Sequence, residues 1–73
     1  MTPEKLTHMA NQIAAFFRAY PEGEAAVSVR QHIEAFWTPT MVAALQAHIA
    51  VGGAGVDDLV VRAMREPAAA AAE

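Results

Sequence analysis

The chain contains no cysteine, so disulfides and thiolate-held metal or iron–sulfur centres are excluded together. Positive charge is scarce: five Lys and Arg stand against eight Asp and Glu, for a formal net charge of −3, and no two basic residues form a cluster. Nucleic-acid binding needs a basic face that displaces counterions from phosphates, and that face is missing. Long apolar runs are absent as well. The least polar stretch, Met41–Val56, is interrupted by Gln46, His48 and Gly52-Gly53, and falls short of the ~20 residues that span a bilayer. The opening Met1-Thr2-Pro3-Glu4-Lys5 lacks the basic and apolar regions of a signal peptide, so a cytoplasmic location is expected.

Large side chains are also few. Of 73 residues 55% are hydrophobic, but 18 of those 40 are alanine, five of them in Ala68–Ala72. Alanine removes little area from water, and a core this thin rarely yields more than ~3–5 kcal/mol of net stability. With disulfides excluded, a partner is the expected source of the remainder.

What is present reads as helix. Thr2 is a good N-cap and Pro3 suits the first helical position. Leu6, Met9, Ala10, Ile13, Phe16, Phe17 and Tyr20 recur at three- and four-residue steps, predicting one apolar stripe on a helix of about five turns. Pro21 and Gly23 are expected to stop it. A second helix is predicted from about Glu24, with Ala26, Val29, Ile33, Phe36 and Trp37 on its apolar face. Thr38-Pro39 repeats the opening device, starting a third helix with Met41, Val42, Leu45 and Ile49 inward and Gly52-Gly53 as its left-handed stop. A short fourth helix, Val56 to Arg65, has Asp57 and Asp58 in its first turn and Arg62 and Arg65 in its last, both favoured by the macrodipole. The expected fold is all-α: a small bundle of three helices plus a short C-terminal fourth, forming one domain over residues 1–66, with a flexible, disordered Ala-rich tail at 67–73.

Catalytic constellations are not evident. His8 is expected to point away from the apolar stripe, with His32 and His48 at the margins of theirs. No two share a helix at the i, i+4 spacing that preassembles a metal site. Asp57-Asp58 is explained by helix N-terminal charge, and the glycines at 52, 53 and 55 lack both a preceding strand and the Lys-Ser or Lys-Thr of a phosphate loop. Two features point instead to binding. Asn11, a poor helix former, is expected nearly opposite the apolar stripe, with Gln12 at its flank. Phe16-Phe17 and Phe36-Trp37 place adjacent rings about 100° apart, more than a thin core can enclose, so at least one ring is expected at a surface, where rings are typical binding anchors.

Leu6, Met9-Ala10-Asn11-Gln12-Ile13 and Phe16-Phe17, followed by His32, Phe36-Trp37, Pro39 and Met41, resemble the two signature segments of the delta subunits of soluble NAD-dependent formate dehydrogenases. The resemblance runs from about Lys5 to Met64. It departs at Thr40 and Val42, where relatives often carry basic residues on either side of the methionine, so a charged contact made there in relatives is in doubt here.

The resemblance implies a noncatalytic accessory subunit of a cytoplasmic molybdenum- or tungsten-dependent enzyme, docked on its catalytic (alpha) subunit. Bis-molybdopterin guanine dinucleotide, iron–sulfur clusters and FMN would lie in the other subunits, and this chain would bind no cofactor. One alternative is a maturation chaperone that assists pterin insertion; a second is a stand-alone helical metal-binding or regulatory protein. The residues expected to meet the partner are Met9, Asn11, Gln12, Phe16, Phe17, His32, Phe36, Trp37, Pro39 and Met41, Asn11 foremost, with Ile13, Ile33 and Leu45 in the core.

Overall fold

The computed structural model describes residues 2–65, which form four α-helices: α1 (Pro3–Phe17), α2 (Glu22–Phe36), α3 (Pro39–Ala50) and α4 (Asp58–Arg65). The expected all-α bundle of three helices and a short fourth is what the chain forms, and no strand occurs among the described residues. Residues 67–73, expected to be a flexible tail, lie outside them.

Local chemistry sets most of the boundaries. Thr2 Oγ1 accepts from Lys5 N–H and Thr38 Oγ1 from Met41 N–H, each at 3.2 Å, so both Thr-Pro pairs open helices by the same cap. Gly53, at φ +63°, donates its N–H to His48 O at 2.9 Å and ends α3 in the left-handed turn expected there. Three boundaries differ from expectation; one is the start of α4, at Asp58 instead of about Val56, because Asp57 caps the helix from outside it. The first helix stops at Phe17, leaving Tyr20 beyond its end, and α2 begins at Glu22, so Gly23 lies inside a helix instead of ending one. Pro21 alone makes the break, because its ring fixes φ and leaves no N–H to continue α1.

The core is built from small side chains. Ala10, Ala14, Ala25, Ala26 and Ala63 are buried, and the largest fully enclosed residues are Leu6, Ile33, Leu45, Val29 and Val60. Leu45 and Ile33 are core as expected. Ile13 is half-buried and packs against the core from its edge. The inward stripe of α1 is displaced sideways from the predicted one: Leu6, Thr7, Ala10 and Ala14 face the interior, while Phe16 and Tyr20 are exposed. Hydropathy favours the rings, but the small residues let α2, α3 and α4 approach α1 closely, and the rings are left at the rim.

That displacement corrects the orientation expected of Asn11. It lies not opposite the buried face but one turn above buried Thr7, and its amide is engaged within the chain. Nδ2–H donates to Gly55 O and Oδ1 accepts from Asp57 N–H, both at 2.9 Å. His48 Nε2 lies 2.9 Å from Ala54 O, so two side chains hold the α3–α4 connection. Asp57 is also the N-cap of α4, accepting from Leu59 N–H at 2.9 Å, and it pairs with Arg18. At the other end of α4, Arg30 Nη1 donates to Met64 O at 3.0 Å while its Nε bonds Glu34 at 2.6 Å. A helix of 8 residues is too short to persist alone. Side chains from α1, from the turn after it, and from α2 fix α4 at both termini.

Partial burial is the largest influence on the Asp57 carboxyl and raises its pKa, but the Leu59 N–H, the Arg18 guanidinium and the contact with Asp58 together outweigh it. The group is held below its ordinary 3.8. A depressed folded value means that the carboxylate contributes stability above about pH 4, and that the contribution is lost as pH falls through the folded value.

Denaturant midpoints measured against pH should therefore fall in acid, and Asp57→Asn should flatten that dependence while lowering stability near neutrality. Asn11→Ala removes both bonds to the connection. It is expected to cost about 1–2 kcal/mol in chemical denaturation with little change in helical circular dichroism.

Candidate functional site: an aromatic groove

Where the second half of α1 meets the end of α2 and the start of α3, the surface opens into a groove of about 470 Å³. From α1 it is walled by Met9, Gln12, Ile13, Phe16 and Phe17; from α2 by His32 and Phe36; and beyond α2 by Trp37 and Met41. The opening exists because Ala10 and Ala14, not the rings, line the interior of α1. The bulky side chains on the neighbouring face then project past the packed helices.

The rings form a connected series. Phe16 meets Phe17 edge-on at a centroid distance of 4.9 Å, Phe17 meets His32 at 6.0 Å, and His32 lies 4.7 Å from Phe36. Tyr20 adds a further edge contact to Phe17 at 5.2 Å. Such contacts orient the rings before anything binds and reduce the rotamer entropy lost on docking. The two ends of the series are the most open, with Phe16 69% and Phe36 75% exposed, whereas Trp37 is only 8% exposed and forms part of the core. Phe36 is thus not on the inward face of α2 as its periodicity predicts. Trp37 is, because the chain turns extended there, with its N–H returned to Ile33 O at 2.8 Å.

The groove's lining contains no Asp, Glu, Lys or Arg. Its polar side-chain groups are the Gln12 amide, the His32 imidazole and the Trp37 indole N–H. Of the ten residues expected to meet a partner, Met9, Gln12, Phe16, Phe17, His32, Phe36, Trp37 and Met41 line it together. Asn11 does not. It faces a second, more polar depression of about 360 Å³ with His8 and His48, its amide committed to Gly55 and Asp57. Pro39 lies in a third depression of about 340 Å³, on the far side of Trp37. Ile13, expected in the core, joins the groove. Its position between Met9 and Phe17 on the same helical stripe was the available signal.

No group of three His, Cys, Asp or Glu side chains among the described residues is placed to hold a metal ion. With no cysteine in the chain, the donor set does not suit an iron–sulfur cluster. No helix of the described residues is long and apolar enough to cross a membrane.

Fold and groove define a class: a small all-helical protein whose distinguishing surface is an open, uncharged aromatic cleft. The family model described as NADH-dependent formate dehydrogenase delta subunit FdsD matches residues 5–64, and the chain belongs to that family. No curated protein and no solved structure gives a match. The matched span begins before the first groove residue and ends within α4, so it contains the whole site.

Trp37→Ala would empty the wall shared by core and groove and is expected to cost about 3–5 kcal/mol. Thermal or urea unfolding measures it; a melting temperature equal to that of the parent would show that the indole is not part of the core.

Proposed function

We propose that this chain is a noncatalytic structural subunit of a cytoplasmic, molybdenum- or tungsten-dependent, NAD-linked formate dehydrogenase, and that it docks through the aromatic groove on the catalytic (alpha) subunit. The observation that carries the proposal is the exposure of Phe16 and Phe36 at the two ends of an uncharged groove. Burying a Phe side chain yields about 1.5–3 kcal/mol, and rings in desolvated pockets dominate the energetics of many interfaces. An accessory role is also supported by chemistry: the described residues bring no nucleophile, base and orienting group together in the groove, whose only titratable side chain is His32. In this reading bis-molybdopterin guanine dinucleotide, FMN and iron–sulfur clusters are held by the larger subunits, and the chain contributes cover for apolar surface.

Phe16→Ser combined with Phe36→Ser tests the proposal. Both side chains are largely exposed, so folding stability should change little, while affinity for the catalytic subunit should fall well over tenfold. Co-purification from cells reads the effect. A stoichiometric band in active enzyme that survives both substitutions would refute docking through the groove. Enrichment of the parent chain only on cofactor-free enzyme would move the assignment from structural subunit to maturation factor.

A further inference from the structure

The groove is also where the fold leaves sulfur open to solvent. With no cysteine in the chain, thioethers are its only sulfur groups, and no thiol competes with them for an oxidant. Of the four methionines, Met1 lies outside the described residues. Met64 is enclosed in the core at 6% exposure. Met9 and Met41 are half-buried: each packs against the core and lines the groove, Met9 from α1 and Met41 from α3. Oxidation of a thioether follows its access to solvent. The fold therefore opens two methionines to the cleft and withholds a third.

A peroxide suits this arrangement, being small and uncharged in a groove that has no Asp, Glu, Lys or Arg in its lining. The sulfur lone pair attacks one peroxide oxygen, the O–O bond breaks and an S–O bond forms. Sulfur gives up two electrons. The other oxygen leaves as hydroxide and takes the proton from the new S–OH group, becoming water. The product is a sulfoxide, a polar hydrogen-bond acceptor where a flexible apolar side chain stood. A surface that covers the groove covers both positions, and each sulfoxide must then give up its water.

We propose that Met9 and Met41 form a reversible oxidation site of the free chain, that peroxides are its oxidant, and that the sulfoxides oppose docking. Reversal uses a methionine sulfoxide reductase: two thiols become a disulfide and the sulfoxide oxygen leaves as water. The proposal rests on the docking reading above and adds a condition to it, that the groove docks in its thioether form. Docking in turn shields both sulfurs, so the assembled complex is the protected state.

The test treats the full chain with graded hydrogen peroxide, free and in the assembled complex, and maps the added mass of one oxygen by peptide mass spectrometry. In the free chain Met9 and Met41 should gain oxygen roughly tenfold faster than Met64, and in the complex neither should gain it at the same dose. Affinity for the catalytic subunit should fall roughly tenfold or more as the two sites fill, and return after reductases of both stereospecificities. Met9→Leu combined with Met41→Leu, whatever its own affinity, should bind equally before and after peroxide. Oxidation of Met64 as fast as the other two would overturn the site. Full oxidation of Met9 and Met41 with affinity unchanged would overturn the effect on docking, as would a double variant that loses affinity on peroxide as the parent does. If the untreated chain binds no subunit of the complex, the docking reading itself is refuted, while the oxidation map of the free chain still decides the site.

Discussion

The shortage of large interior side chains is the constraint from which the rest of this molecule follows. Alanines at 10, 14, 25, 26 and 63 draw four helices close together, and the space between them is filled by Leu6, Val29, Ile33, Leu45 and Val60. Close packing of this kind is compatible with native density, but it encloses little apolar area. Trp37 enters the core and Phe17 packs against its edge, but Phe16 and Phe36 are left outside. Phe16 and Phe36 are exposed for the same reason that the helices fit, and the open groove is a direct result of how the core is made.

A thin core places more weight on polar closure. The 8 residues of α4 are held at one end by Asn11, Arg18 and the Asp57 cap, and at the other by Arg30. The bonds from Asn11, Arg18 and Arg30 join parts of the chain separated by more than thirty residues, and that of Arg30 ties α4 to α2, whose far end carries His32 and Phe36. Charged side chains are concentrated on α2, α4 and the helix termini. From Leu6 to Phe17 and from Ala35 to Val56 there is no Asp, Glu, Lys or Arg. Ion pairs therefore gather around α2 and α4, while the middle of α1 and all of α3 carry only apolar and neutral polar side chains.

Much of the architecture was legible in the residues. The two Thr-Pro openings and the Gly52-Gly53 stop depend on backbone chemistry within one turn, and each behaves as that chemistry dictates. The stripe of α1 was misplaced because periodicity ranks Phe above Ala and Thr, whereas close helix packing selects for small volume; the same error put Phe36 inward. Asn11 was legible as an anomaly but not as a clasp, since its partners Gly55 and Asp57 lie 44 and 46 residues away and no local pattern links them. Phe16-Phe17, His32 and Phe36-Trp37 stand out in the sequence as candidate partner-facing residues, but no local pattern shows that they converge on one groove. Its inclusion of Ile13 and exclusion of Asn11 follow from the rotation of α1, which a single sequence does not display.

Trp37 is the chain's sole tryptophan. Its indole stands in the wall that divides the interior from the cleft, so one fluorophore senses both. Its emission reports the polarity around a single known position, with no second indole to blur the signal. Loss of the native fold exposes the ring to water and shifts that emission to longer wavelength, while a ligand seated in the cleft removes what water remains and shifts it the other way. Folding and occupancy are thus separable by the colour of one intrinsic signal, without any added label.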